Sequence, residues 1–159
     1  MEQYGERCDM EGKEMNLFTD ILDGLQLQAQ QKQEYSPLVL AYIGDGFYEL
    51  AIRTRVISYG NASVDVLNRK ATFWAKAATQ GQMAKLLVEQ VLTEDEIWIL
   101  KRGRNAHPAS TARRASIAEY HMATGFESLI GWLYVHGQAE RALELIRQGM
   151  ALVEEAQKN

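Results

Sequence analysis

The sequence is poor in cysteine and proline. Its 159 residues include one cysteine, Cys8, and two prolines. One thiol cannot build an intramolecular disulfide framework, and it leaves no Cys/His cluster for zinc. Hydrophobic residues still make up 47% of the chain, which is enough for one domain to bury a core without crosslinks. The lone thiol excludes a disulfide-stapled secreted domain and points to a cytoplasmic protein.

Long uncharged apolar runs are also missing. The most apolar stretch, residues 36–57, carries four charged side chains: Asp45, Glu49, Arg53 and Arg55. No segment combines a basic start with an apolar centre, as a signal peptide does, and no run is apolar enough to span a bilayer. We therefore expect a protein that is neither exported nor inserted in a membrane.

Positive charge is in deficit, with 17 Lys and Arg residues against 21 Asp and Glu and a net charge of −4. This balance opposes nucleic-acid binding through overall charge. Binding of RNA would need a local basic patch.

Apolar residues recur at three- and four-residue spacing along most of the chain, and long β-branched alternation is lacking. This periodicity is typical of helices, so we predict an all-α fold. Residues 1–35 are acidic and then glutamine-rich. We interpret them as a polar leader that is disordered or contains a helix around residues 16–33. The domain is expected over residues 36–155.

Capping residues mark several helix boundaries. Ser36 and Pro37 form an N-cap with proline at the first helical position, and Thr93 with Glu96 can form a capping box. Gly137 can end the second strongly apolar helix. The helices expected after the leader span residues 37–58, 63–90 with a break near 79–81, 93–100, 116–135 and 138–154.

Two acids interrupt helices that are otherwise strongly apolar. Asp45 lies within residues 38–47, and Glu127 lies within residues 123–131. A carboxylate on such a helix should be at least partly buried, which is costly unless it is paired, protonated or bound to a metal. These two acids are the candidate catalytic residues.

Small residues surround both acids: Gly44, Gly46, Gly125, Ser128 and Gly131. Glycine weakens a helix by about 1 kcal/mol relative to alanine, so these positions suggest that two helix backbones approach closely and bring Asp45 and Glu127 together. Converging carboxylates suit a hard cation such as magnesium, which can promote cleavage of a phosphodiester.

A structural interpretation of the acids stays open. Asp45 could lie on an exposed edge, and Glu127 could be paired with an arginine. Glu49 shares the helix face of Asp45, but Arg53 follows it by four residues and offers an intrahelical ion pair. For Glu49 we expect this structural role.

Helical periodicity stops between residues 101 and 115, where the composition indicates a long polar loop. Cations are concentrated in this stretch of an acidic protein, so it is a candidate contact for RNA phosphates, with a solvated charged loop as the alternative. The candidate RNA-binding residues are Lys101, Arg102, Arg104, Asn105, His107, Arg113 and Arg114, with Lys70 on the middle helix.

Residues 42–49, Tyr-Ile-Gly-Asp-Gly-Phe-Tyr-Glu, resemble the signature helix of ribonuclease III, in which a Gly-Asp pair follows apolar residues. Residues 126–131, Phe-Glu-Ser-Leu-Ile-Gly, resemble the second acidic motif of that family. Residues 101–106, Lys-Arg-Gly-Arg-Asn-Ala, resemble a run of its Mini-III branch. The resemblance covers about residues 37–150, and, as in Mini-III enzymes, no double-stranded-RNA-binding domain is expected to follow.

The resemblance implies a ribonuclease III-like helical bundle and an endoribonuclease that cuts double-stranded RNA. It also implies that Asp45 and Glu127 bind Mg²⁺, or alternatively Mn²⁺, in a homodimer with two active sites along one groove. Ala41 and Leu38 replace two glutamates of the ribonuclease III signature, and Thr124 replaces an acid, a reduction that Mini-III enzymes share. The implied substrate is the stem formed by the ends of the 23S ribosomal RNA precursor, which places the function in ribosomal RNA processing and ribosome biogenesis.

Three rival functions remain. A catalytically silent module that binds structured RNA would account for the missing glutamate at Ala41. An all-α nucleotide phosphohydrolase could use the same acids with magnesium, although a small-molecule site has little use for so many dispersed cations. A helical adaptor that binds another protein would leave the two acids unexplained.

Overall fold

The computed structural model describes residues 16–29, 35–106 and 114–159, with the backbone alone at 114 and 115. Within these ranges every regular element is a helix, which confirms the all-α prediction. The helices are α1 (Leu17–Gly24), α2 (Pro37–Ser58), α3 (Val64–Ala75), α4 (Ala77–Gln90), α5 (Glu94–Arg104), α6 (Arg114–Val135) and α7 (Ala139–Gln157).

Helix α6 lies at the centre of the bundle. Helices α2, α4 and α5 pack against it, and α7 packs mainly against α4. The α6 side chains of Phe126, Leu129 and Ile130 are fully buried, and burial of each contributes on the order of 2 kcal/mol. The two helices that carry the candidate acids, α2 with Asp45 and α6 with Glu127, therefore pack against each other.

Several helices begin or end where the capping residues predict. The Ser36 hydroxyl accepts a hydrogen bond from the Val39 N–H at 3.3 Å, one turn into α2. Thr93 and Glu96 form the expected capping box, with hydrogen bonds of 3.0 and 3.2 Å. Gly137 adopts a φ of +74°, which glycine accepts without strain, just beyond the end of α6. The predicted bounds of α2 and the predicted end of α6 are confirmed.

The helix break predicted near residues 79–81 is wrong. The chain bends at Lys76, whose extended backbone (ψ 140°) separates α3 from α4. Gly81 lies inside α4, where a Cβ would be only 3.1 Å from the carbonyl oxygen of Glu119. This glycine allows α4 to approach α6 and does not interrupt the helix.

The prediction of a loop from Lys101 onward is also wrong for residues 101–104, because α5 continues to Arg104. Lys101, Arg102 and Arg104 occupy the last turn of this helix, where cations interact favourably with the helix dipole. Gly103 packs against Ser128 of α6, which supports the same turn. His107 and Arg113 lie outside the described residues, as does the side chain of Arg114.

The helix predicted around residues 16–33 is observed as the shorter α1. The Asn16 side chain caps it by accepting a hydrogen bond from the Thr19 N–H at 3.1 Å. The Phe18 ring packs edge-on against Tyr134 of α6, with 5.5 Å between ring centres. This contact anchors α1 to the bundle.

Candidate active site

The two candidate acids are positioned by a reciprocal close contact between antiparallel helices. A Cβ at Gly44 of α2 would overlap the carbonyl oxygen of Glu127 and lie 2.7 Å from the backbone nitrogen of Gly131. A Cβ at Gly131 of α6 would overlap the carbonyl oxygen of Leu40. Only glycine fits at either position, so the two backbones touch where Asp45 follows Gly44.

The other small residues have different roles from those expected. Gly46 has no atom within 4 Å of where its Cβ would be, so it is not part of the helix contact. Gly125 faces α5 instead of α2, with its Cβ position 2.6 Å from the carbonyl oxygen of Leu100. Ser128 also faces α5, through Gly103. Of the five, Gly44 and Gly131 alone form the α2–α6 contact.

Glu127 is a half-buried carboxylate. Burial, assisted by the charge of Asp45, raises the pKa of Glu127 from 4.5 to about 7. Asp45 is exposed, which is less burial than the apolar sequence around it suggested, because it lies one position past the contact at Gly44. Partial desolvation, and to a smaller extent the charge of Glu49, still raise the pKa of Asp45. The charge of Asp45 thus acts on Glu127 across the helix contact.

In the part of the chain that the structure describes, neither acid has a cationic partner. Among the described residues, no hydrogen bond or ion pair reaches the carboxylate of Asp45 or Glu127. The arginine partner considered for Glu127 is therefore not found in this part of the chain. Glu49 instead pairs with Arg53 at 2.7 Å, as the spacing predicts, on the exposed side of α2. Glu49 is thus held by Arg53, whereas Asp45 and Glu127 keep no such partner in the described ranges.

The fully buried Tyr48 supports the helix contact from the core side. Its hydroxyl donates a hydrogen bond of 2.6 Å to the carbonyl oxygen of Trp74, and its ring packs edge-on against Phe126. Burial, together with the charge of Glu127, raises the pKa of Tyr48. Tyr48 therefore stays neutral and fixes α2 relative to both α3 and α6.

The cationic end of α5 lies next to the acid-bearing turn of α6. The Cβ position of Gly125, two residues before Glu127, is 3.2 Å from the backbone nitrogen of Arg104. The Arg104 side chain donates a hydrogen bond of 3.2 Å to Asn105. Lys101 and Arg102 are exposed on the same turn.

Lys70, the remaining cationic candidate, belongs to a different part of the surface. It lines a cavity of about 330 Å³ on α2 and α3 together with Arg55, Tyr59 and Trp74. The structure therefore groups Lys101, Arg102, Arg104 and Asn105, and it does not place Lys70 on that turn of α5.

One exposed aromatic residue was missed by sequence reasoning. Trp98 is 60% exposed on α5, and Arg102 stacks over its ring at 4.8 Å. The four-residue spacing of a tryptophan and an arginine on a capped helix is the signal that could have identified the pair.

The helical bundle and its acid-bearing helix pair define a ribonuclease III-like nuclease domain. The model of the family described as "Ribonuclease III domain" matches residues 38–138. The chain belongs to this family.

More particular similarity is to proteins named Mini-ribonuclease 3. The one from Clostridium tetani is 40% identical over 137 residues, covering 86% of this chain and 90% of that protein. The one from Enterococcus faecalis is 43% identical over 115 residues, covering 72% of this chain and 87% of that protein. The chain is thus an endoribonuclease.

A solved structure supports the fold. The crystal structure of a protein from Fusobacterium nucleatum matches with a TM-score of 0.66 and 28% sequence identity, covering 77% of this chain and 98% of that one. None of the helices in the described part of the chain has the length and apolar character needed to cross a membrane.

Proposed function

We propose that Asp45 and Glu127 hold the divalent metal with which this endoribonuclease cuts double-stranded RNA. The observation that carries the proposal is the position of the two acids at the glycine contact between α2 and α6, with no cationic partner for either among residues 16–29, 35–106 and 116–159. Cleavage of double-stranded RNA follows from membership of the ribonuclease III family.

The residues at the site fit a hard cation. Ribonuclease III enzymes generally depend on divalent metals. Among the described residues no three Asp, Glu, His or Cys side chains are grouped to hold a metal, so the site offers two carboxylates. Mg²⁺ prefers oxygen ligands and keeps several waters, which suits two carboxylates and an open side; Mn²⁺ is an alternative. A bound divalent cation would polarise the scissile phosphate and lower the pKa of an attacking water.

The residues of the chain supply a preformed geometry for this chemistry. Gly44 and Gly131 hold the two acid-bearing turns together, so the backbones that carry Asp45 and Glu127 are already adjacent before a cation or RNA binds. Burial raises the pKa of Glu127 to about 7, so a bound cation would compete with a proton for this carboxylate near neutral pH. Exposed Asp45 faces solvent, from which the RNA arrives.

The duplex would be held mainly through its backbone. A-form RNA hides its base edges in a deep, narrow major groove, so recognition uses shape, phosphates and 2′-hydroxyls. The end of α5, which packs against α6 at Gly125, supplies cations, and the segment that follows it includes His107, Arg113 and Arg114. Lys70 lies on α3, so any contact that it makes with RNA would be separate from the contacts made by the last turn of α5.

An exposed apolar stripe on α2 supports a homodimer. Leu38, Tyr42 and Leu50 recur at intervals of four or eight residues, and Tyr42 is 81% exposed. Gly46 continues the stripe with open space at its Cβ position. A self-complementary patch on one helix is what a two-fold interface requires. Two copies would place two acid pairs on one duplex, one for each strand.

The natural substrate is proposed from similarity to the Mini-ribonuclease 3 proteins. We propose the stem formed by the ends of the 23S ribosomal RNA precursor. The protein would then act in ribosome biogenesis in the cytoplasm.

The test is cleavage of an end-labelled RNA duplex and of its separate strands, with Mg²⁺ and with chelator. Metal-dependent cutting of the duplex alone is expected. Tight binding without cutting would instead indicate a silent RNA-binding module. Hydrolysis of free nucleotides without duplex cutting would indicate a phosphohydrolase.

A further inference from the structure

Helix α5, whose last turn packs against α6 at Gly125, carries an exposed aromatic–cation pair. The Arg102 guanidinium lies 4.8 Å from the centre of the Trp98 ring, and Trp98 is 60% exposed. The other side of α5 is buried through Ile99, Leu100 and Gly103. The pair therefore lies outside the core, and packing does not explain a tryptophan at this position.

The face that holds the pair is cationic. Helical periodicity places four exposed residues on one side of α5: Trp98, Lys101, Arg102 and Asn105. The acids Glu94 and Asp95 lie in the first turn of the helix. Charge along α5 thus changes from negative to positive toward the end that packs beside the acid-bearing turn of α6. A polyanion that reaches Glu127 would meet the positive end.

We propose that Trp98 is a positioning residue for RNA, whose ring holds the Arg102 guanidinium in place to contact a backbone phosphate of the duplex beside the cut. This inference rests on the proposed RNA-cleaving function. Arginine binds phosphate through a planar fork of N–H groups, and a mobile arginine loses rotamer freedom when it does so. Stacking on Trp98 removes part of that freedom before RNA arrives.

Duplex RNA is the partner that the chemistry of this face favours. Paired bases are already stacked on one another, so the indole has no exposed base to stack on, and its contact with RNA is through Arg102 and the sugar–phosphate edge. The charge of Lys101 on the same turn adds to the attraction for phosphate.

Steady-state cleavage of a labelled duplex by the full chain tests the role of Trp98. Trp98→Ala should raise KM about twofold to fivefold, the size of an exposed cation–π interaction, with kcat unchanged. Trp98→Phe keeps an aromatic face and should restore most of the loss. Arg102→Ala should raise KM further and lower the slope of log K against log salt by about one.

Two variants on α7 serve as matched controls. Leu143→Ala removes an exposed apolar side chain, and Arg147→Ala removes an exposed cation. Both should keep the wild-type KM and salt slope. Thermal unfolding of every variant separates a loss of binding from a loss of folding.

Tryptophan fluorescence gives an independent readout. Trp74 is buried and Trp132 is half-buried, so Trp98 is the exposed indole of the described chain. Duplex RNA should change the emission of the wild type and leave that of Trp98→Phe nearly constant.

The outcomes separate this inference from the proposed function. A Trp98→Ala variant with wild-type KM, or a change in its oligomeric state without a change in KM, overturns the role of Trp98 while duplex cleavage stands. A wild-type chain that neither binds nor cuts the duplex overturns the proposed function itself.

Discussion

The α-carbon of Gly44 lies against the carbonyl oxygen of Glu127, so one residue of the signature helix touches the backbone that carries the second acid. Asp45 is the next residue in the chain, so its backbone lies beside this contact. The reciprocal contact of Gly131 with Leu40, one turn away, prevents the two helices from sliding apart.

Gly44→Ala should destabilise the fold by about 3 kcal/mol or more, because a methyl group there would overlap backbone and the helices would have to separate. Denaturant unfolding followed by circular dichroism measures this. Gly24→Ala is the matched control, because nothing lies within 4 Å of its Cβ position, and its effect should be within about 0.5 kcal/mol. Equal effects of the two substitutions would contradict the close contact.

The stability of the metal-free protein should fall as pH rises from about 4.5 to 7. The folded state raises the pKa of Glu127 to about 7, so it binds this proton more tightly than the unfolded chain does. Asp45, whose pKa is raised too, acts in the same direction. Urea unfolding in chelator at pH 5 and pH 8 measures the decline, and Glu127→Gln should make it smaller. An unchanged decline in that variant would contradict the shifted pKa.

A second buried acid should show the opposite pH dependence. Glu96 is nearly buried, pairs with Arg141 at 2.8 Å, and also accepts a backbone hydrogen bond from Thr93. The hydrogen bond from Arg141 is the main cause that lowers the pKa of Glu96, so its contribution is present above pH 4.5 and is lost at lower pH.

Arg141→Ala should therefore cost about 2 kcal/mol at pH 7, since it leaves the buried carboxylate of Glu96 without its cationic partner. The cost should shrink toward pH 3. Thermal unfolding across this range checks the prediction, and a pH-independent cost would show that Arg141 acts through packing alone.

Tyr42→Lys should weaken dimerisation, because it places a charge in the exposed apolar stripe of α2. Light scattering over a range of protein concentrations measures the effect. Leu143→Lys, on the exposed side of α7, is the control and should leave the oligomeric state unchanged. A Tyr42→Lys variant that dimerises like the wild type would place the interface elsewhere.

Local signals predicted much of the fold. The bounds of α2 and the end of α6 followed from Ser36, Pro37 and Gly137, because capping depends on near neighbours in the chain. The apparent break at Gly81 was misleading, since a glycine that ends a helix and one that admits a neighbouring helix look alike in sequence. Only the position of α6 distinguishes them.

The candidate site was predictable only where its signals lie close together in the chain. The small residues around Asp45 and Glu127 indicated a close approach of two helix backbones, but not which glycines make it; Gly46 and Gly125 face elsewhere. The lost periodicity after Leu100 concealed the last turn of α5, where cations replace apolar residues although the helix continues. The exposure of Trp98 likewise depends on which face of α5 packs against α6.

The most direct test of the account titrates Mg²⁺ by calorimetry into the wild type, Asp45→Asn, Glu127→Gln and the control Glu49→Gln, with duplex cleavage assayed in parallel. Asp45→Asn and Glu127→Gln should stay folded, bind Mg²⁺ at least about tenfold more weakly and cut at least about a hundredfold more slowly. Glu49→Gln, which removes an exposed partner of Arg53, should bind and cut nearly as the wild type does. Wild-type cleavage by either Asp45→Asn or Glu127→Gln would contradict the assignment of these two acids as the metal site.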